Sequence, residues 1–223
     1  AQETLVHYRL NSDYSLAVDV PNSGSLGDGT FLGTGIVGLS QDIPTLGVPQ
    51  EAGDRCLSFD GAAGIVSPGS QQLLNSTVFE NGGFTYEAWF KYTGGGSANS
   101  IIDYAGTEKL VRQRSDNSAS MLTNGNNTRR RAIGTAATGE WHYVAVVFKA
   151  TRSGSTTVTG DYTYYLDSTT PIRTNTGVTI TNFGDDLNRS IGVGMHPEGV
   201  DFFNGLIFEP RVSLGALTPE QLL

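Results

Sequence analysis

The sequence predicts an all-β chain folded as a two-sheet antiparallel β-sandwich of the jelly-roll kind. Three observations carry this. Apolar residues recur with period two in several segments, the spacing of a strand that buries one face. Gly supplies 29 of the 223 residues, and glycine-rich clusters separate those segments, because Gly takes φ > 0 in tight turns without steric cost. No long helical period interrupts the strands. A large sandwich runs to ~200–250 residues as one domain, and no charged linker or internal repeat divides this chain. Residues 1–223 are therefore read as a single domain, long enough to hold a core without disulfides or metals.

In chain order, Phe84-Thr85-Tyr86-Glu87-Ala88-Trp89-Phe90 puts Phe84, Tyr86, Ala88 and Phe90 on one face and Thr85, Glu87 and Trp89 on the other. Ile101–Tyr104 and Lys109–Arg114 are further strand candidates. Trp141–Phe148 is apolar on both faces, as expected of a central strand covered on both sides. Tyr162–Asp167, Val178–Thr181, Ser190–Val193 and Phe203–Val212 complete the set. The turns between them are Asn81-Gly82-Gly83, Gly94-Gly95-Gly96-Ser97, Asn124-Gly125-Asn126-Asn127 and Thr138-Gly139. Thr218-Pro219-Glu220-Gln221 predicts a short terminal helix, with an N-cap, Pro at the first position and a capping-box Gln. Trp89, Trp141, Tyr143 and Phe148 are expected in the core, where truncating Trp141 would cost ~3–5 kcal/mol.

The formal charge is −8, from 22 acidic and 14 basic residues. That argues against a nucleic-acid partner, which needs a basic face to release phosphate counterions. No apolar run reaches the ~18 residues of a membrane span. Cys56 is the lone cysteine, set in Cys56-Leu57-Ser58-Phe59, and reads as a small buried hydrophobe. The opening Ala1-Gln2-Glu3-Thr4 is what signal cleavage after a small residue leaves, so the expected setting is secreted or cell-surface. Sequons stand at Asn75, Asn126 and Asn188 and matter only in a eukaryotic source.

Several pieces match a known pattern in order. His7-Tyr8-Arg9-Leu10 is similar to an aromatic-x-Leu first strand. Asp19, Asn22-Ser23-Gly24 and Gly27-Asp28-Gly29-Thr30-Phe31 resemble a D-S-S-G-N-G-N-D-G-T-L loop. Leu57-Ser58-Phe59-Asp60-Gly61, Phe84–Phe90, Glu140–Val147 and Tyr164-Tyr165-Leu166-Asp167 resemble L-x-F-D-G, F-T-I-E-A-W-V, W-H-H-V-A-V-V and Y-V-D-G. Ile191-Gly192, Phe203–Val212 and Ala216-Leu217-Thr218 resemble I-G, F-x-G-x-I-D-E-V-R-I and A-L-S. From about residue 7 onward the chain thus resembles the laminin-G-like, concanavalin A-type domains. The resemblance implies their sandwich fold, which hosts lectins, adhesion modules, enzyme appendages and some enzymes.

It also implies a structural Ca²⁺ near the first loop and the last long strand, held by hard oxygen ligands. Asp19, Asn22 and Asp28 are the candidates, although Phe208 stands where the pattern has Asp. The alternative is a turn in which Asp and Asn bond their own backbone.

Among catalytic readings, the E-x-D-x-x-E strand of one glucanase branch is missing from the sequence. Glu87 shares a face with Trp89, so a cleft there is possible, but the family pattern places Glu at this position without catalysis. A lyase would need a His or Tyr base; His142 fits the W-H-H pattern, His7 the first strand and His196 a late loop. No Ser-His-Asp or Cys-His set and no zinc set is legible.

The most individual feature is basic. Arg112 and Arg114 alternate along one segment, and Arg129 and Arg131 along Arg129-Arg130-Arg131. If the two segments pair as a hairpin, four guanidiniums converge into a patch for carboxylate or sulfate. The alternative is a solvated face paired with Asp116 or Glu108. The leading expectation is a non-catalytic recognition module for a glycan or a surface protein, and the runner-up a polysaccharide lyase or glycoside hydrolase. A cleft with two perturbed ionisable groups would favour the enzyme, and a face of exposed aromatics without them would favour binding.

Overall fold

The computed structural model describes residues 2–15, 19–45, 51–68, 78, 80–95, 98–104, 108–123, 130–153, 157–181 and 190–223. Within these the chain forms β1 (Glu3–His7), β2 (Leu10–Asn11), β3 (Asp19–Val20), β4 (Gly29–Gly33), β5 (Val37–Ser40), β6 (Asp54–Asp60), β7 (Ala63–Val66), β8 (Gly83–Tyr92) and β9 (Ala98–Tyr104). There follow β10 (Glu108–Gln113), β11 (Ser118–Leu122), β12 (Arg131–Thr135), β13 (Trp141–Ser153), β14 (Val158–Leu166), β15 (Arg173–Ile180), β16 (Ile191–Val193) and β17 (Asn204–Leu214). Every strand predicted in the second half of the chain is present. The three sequons lie outside the described residues.

Two antiparallel sheets face each other. The first runs β15-β14-β13-β8-β17-β6-β2, with β1 added to β17 and β5 to β6. The second runs β12-β11-β10-β9-β16-β7-β4-β3. β17 is last in sequence but central in its sheet. Its Asn204–Ile207 half pairs with β6 and its Arg211–Leu214 half with β1, and β8 lies along its other side. A bulge between Phe208 and Arg211 separates the halves, with Glu209 at φ 48°. Such left-handed geometry in a non-glycine residue fits a bulge.

The predicted alternation of β8 holds. Phe84, Tyr86, Ala88 and Phe90 are fully buried in the shared core, where Phe84 stacks on Phe148 at 5.2 Å between centroids. Tyr143, Ala145 and Val147 form a second cluster with Tyr165 on the outer face of the first sheet, covered by Ala216, Leu222 and Leu223. The apolar character of both faces of β13 therefore has a physical cause: the segment after β17 lies over it. That segment begins its last turn as a 3₁₀ turn, Pro219–Gln221, with Gln221 Oε1 accepting from the Thr218 N–H at 2.9 Å.

Two of the four expected core aromatics are elsewhere. Tyr143 and Phe148 are buried, whereas Trp89 and Trp141 are only partly so. Both stand on the outer face, since Trp89 is opposite Tyr143 and Trp141 opposite Lys91 in the β8–β13 register. Cys56 is buried and its thiol donates to the Asp42 carbonyl at 3.1 Å; burial pushes that thiol up to about 12, so it is inert packing.

Candidate functional site

Period-two geometry on two neighbouring strands brings Trp89, Trp141 and Tyr143 to one patch of the outer face. They line an open cleft of ≈ 380 Å³, closed by Asp167, Ser168 and Thr169 on one side and Leu223 on another. The Trp89 and Tyr143 rings lie 5.3 Å apart and tilted by 47°. Trp141 is held from below, because its indole N–H donates to Asp42 Oδ1 at 2.9 Å. Lys91 holds the other carboxylate oxygen at 2.7 Å. These two bonds, that from Lys91 the stronger, keep the Asp42 carboxyl below the usual carboxylate range.

The polar rim is equally fixed. Asp167 adopts φ 51° immediately after β14, a conformation Asp tolerates better than most residues. There its Oδ1 accepts the Tyr143 N–H at 2.8 Å and its Oδ2 meets His142 Nδ1 at 2.7 Å. The bond to Asp167 is the main cause that raises the His142 imidazole above its ordinary value.

Beneath the cleft Glu87 is fully buried and saturated with donors. Arg211 holds Oε1, while the Tyr143 hydroxyl at 2.7 Å and the Leu223 N–H at 2.9 Å hold Oε2. A carboxylate locked by a guanidinium and two further donors does not reach a substrate in the cleft. Tyr143 fares no better as a base, since burial first, and then the Glu87 charge, raises its hydroxyl well above the usual range. The cleft presents aromatic surface with fixed polar groups and no free acid–base pair among the described residues.

Arg112, Arg114 and Arg131 do not gather as a hairpin pair. β11 lies between β10 and β12, so the two segments are not hairpin partners. Arg112 is 1% exposed. It donates to Asn117 Oδ1 at 2.8 Å, the Ala136 carbonyl at 3.1 Å and Thr138 Oγ1 at 3.0 Å, and it lies 4.1 Å over the Tyr92 ring. It is an internal brace, and the expectation that it contacts ligand is corrected. Arg114 is exposed in the β10–β11 turn, and Arg129 lies outside the described residues. Arg131 begins β12 and donates to Thr123 Oγ1 at 3.1 Å. Arg130 instead pairs with Asp116.

The calcium candidates are engaged within their own loop. Asn22 Oδ1 accepts the His7 N–H at 2.8 Å and the Gly24 N–H at 2.9 Å, and Nδ2 donates to the Leu5 and Leu26 carbonyls. Both lone pairs of that oxygen are occupied. Asp28 Oδ1 accepts the Asn22 N–H at 3.0 Å, and Asp19 receives the Tyr14 hydroxyl on its backbone carbonyl. On the last strand Phe208 is buried, and Glu209 is matched by Arg9 at 3.0 Å and His7 at 3.6 Å. No three His, Cys, Asp or Glu side chains gather among the described residues.

Sequence reasoning missed the Trp89–Trp141 cleft as a site. Its signal was present, because Trp89 falls in the Glu87 parity of β8, but the run from Tyr143 to Phe148 that follows Trp141 is apolar on both faces and does not mark which face is outward.

Comparison with known proteins agrees with this architecture. Domain 4 of AbnA, a GH43 extracellular arabinanase from Geobacillus stearothermophilus, solved in complex with arabinotriose, superposes with a TM-score of 0.64 at 20% identity, over 99% of this chain and 96% of that one. The binding domain of botulinum neurotoxin DC in complex with SialylT gives 0.59 at 13% identity, and that domain with rat synaptotagmin II gives 0.55 at 11%. The chain spans about half the length of these toxin domains: 98% of it covers 49% and 50% of them. At such identities the likeness is one of fold. A search of curated protein sequences finds no match. The family model described as the concanavalin A-like lectin/glucanases superfamily matches residues 67–223; these hold β8 to β17, which frame the aromatic cleft, and the chain belongs to that superfamily.

Proposed function

We propose that this domain is a non-catalytic carbohydrate-binding module that holds an uncharged stretch of an extracellular polysaccharide in the Trp89–Trp141–Tyr143 cleft. The observation that carries the reading is the pairing of two partly exposed indoles with a fixed Asp167–Ser168–Thr169 rim. Sugar rings have apolar C–H faces and polar edges. Flat aromatic rings cover the first, and oriented carboxylate and hydroxyl groups bond the second. The cleft volume of ≈ 380 Å³ falls within the ~300–1,000 Å³ of ligand clefts. Asp42 and Asp167 beside it disfavour anionic sugars at this place. The arabinotriose complex of the similar arabinanase domain supports the ligand class.

Catalysis is disfavoured because the one buried carboxylate beneath the cleft, Glu87, is consumed by Arg211, Tyr143 and Leu223. The test is isothermal calorimetry against a panel of neutral oligosaccharides that includes arabinotriose, with product analysis after long incubation. Binding without cleavage, lost in both Trp89→Ala and Trp141→Ala while the melt stays cooperative, is the expected result. Cleavage products, or affinity unchanged by both substitutions, would overturn it.

A further inference from the structure

The floor of the aromatic cleft is small, and segments distant in sequence wall it in. Trp89 is opposite Tyr143 and Lys91 opposite Trp141 in the β8–β13 register. The ring-bearing positions therefore span about 7 Å along the strands and about 5 Å across them. One step further along the strands, where Glu87 is opposite Ala145, residues 222–223 lie on the sheet. Leu222 and Leu223 pack on the cluster of Tyr143, Ala145 and Val147, and the Leu223 N–H is bonded to Glu87 Oε2 at 2.9 Å. Across the strands, Asp167, Ser168 and Thr169 stand beyond β13. That wall is pinned as well. The Asp167 N–H donates to the Tyr143 carbonyl at 2.9 Å and the Thr170 N–H to Ser168 Oγ at 2.9 Å. Asp42 and Lys91 take a third corner, with Asp42 bonded to both Lys91 and Trp141.

A polysaccharide that runs straight through a groove needs two opposite margins open. Here the axis along the strands is shut at Leu223, and the axis across them at Asp167–Thr169. The diagonal between the two remaining margins passes over Lys91 and Asp42. A sugar ring stacked on Trp89 with neighbours on both sides would meet one of these walls.

We propose that the cleft recognises the end of a neutral sugar chain and rejects an internal segment, an inference that rests on reading the cleft as a carbohydrate site. The terminal unit stacks over Trp89 and Tyr143 against Leu223, and the chain leaves past Trp141, away from the sheet. Asp167 suits a terminal unit. Each of its oxygens takes one bond from the protein, Oδ1 from the Tyr143 N–H and Oδ2 from His142. A carboxylate offers about four lone-pair sites, so acceptor capacity is left on both. A terminal ring carries the hydroxyl that a linkage would otherwise consume, and this hydroxyl can donate there.

The test is calorimetry of the domain with linear arabinan, β-1,4-galactan and pullulan, each intact and after partial hydrolysis, with concentration counted by mass. For a chain that binds, the binding capacity per gram should rise in proportion to chain ends, about tenfold when chains are cut to about a tenth of their length. Leu223→Ala lowers one wall and keeps the backbone bond to Glu87, and Thr169→Ala lowers the other at an exposed position. Either should shift preference several-fold toward intact chains, and the second serves if the first melts early. Equal binding by mass of intact chains and fragments would overturn end recognition while leaving the cleft a sugar site. A preference unchanged in both variants would overturn it too. If none of these glycans binds, intact or cut, the carbohydrate reading of the cleft fails and this inference with it.

Discussion

Trp141 and Asp42, 99 positions apart, are joined by a 2.9 Å bond from the indole N–H to the carboxylate. Asp42 belongs to the segment after β5, so a residue outside the cleft sets the angle of the ring that forms its wall. Asp42→Ala is expected to weaken binding of a neutral oligosaccharide several-fold, because ordering a freed side chain costs ~0.5–1.5 kcal/mol. The melt should move little, since exposed ion pairs contribute ~0–1 kcal/mol. The Asp42 carboxyl is held low, so its contribution is present above the ordinary carboxylate range and lost as pH falls through the lowered value. Calorimetry of the variant and an acid titration of affinity check both parts.

Glu87→Gln should be destabilising by ~3–5 kcal/mol, because it leaves Arg211 without its buried counter-charge. Denaturant unfolding measures this. A catalytic role would give the opposite pattern, a stable protein without activity.

His142 and Asp167 make stability pH-dependent in the neutral range. The folded imidazole is raised above the ordinary 6.5 by its bond to Asp167. Its stabilisation is therefore complete below about pH 6.5 and is lost as pH rises through the raised folded value. Asp167→Asn should flatten that part of a melting-temperature profile, and should weaken glycan binding because Asp167 forms the cleft rim.

Arg112→Ala should cost ~2–5 kcal/mol, since three acceptors and the Tyr92 face lose a buried guanidinium together. Arg112→Lys should recover only part, a point charge replacing a planar fork. Neither change should alter the affinity of the folded protein for neutral oligosaccharides, since Arg112 lies away from the aromatic cleft.

Asn22→Ala removes a side chain that makes four backbone bonds. A loss of ~2–3 kcal/mol is expected in chelator and in added Ca²⁺ alike. A rise in melting temperature with Ca²⁺ that Asp19→Ala abolishes would instead assign a metal to this loop.

How far the sequence was legible follows from these residues. Alternation in β8 was readable because Glu87 and Thr85 punctuate it with polar positions. In β13 the outer face is as apolar as the inner, and the cover that makes it so arrives from residues 216–223, a contact no local pattern encodes. Arg112 was misplaced for a related reason: alternation assigns a face but not which face is inside. A guanidinium inside a core needs distant acceptors, here Ala136 and Thr138. The Asn22 loop was recognised by composition, yet only the structure shows that its amide is spent on Leu5, His7, Gly24 and Leu26.

The position of β17 has a consequence for how the chain is made. β17 emerges from synthesis after β1, β6 and β8, the three strands that all pair with it. Until it is threaded between them, β8 and β6 each present an open edge, and β1 has no partner in its sheet among the described residues. Closure of the first sheet is thus a late, long-range event of the kind that folds slowly and exposes strand edges meanwhile. A nascent chain halted before residue 204 should associate through those edges.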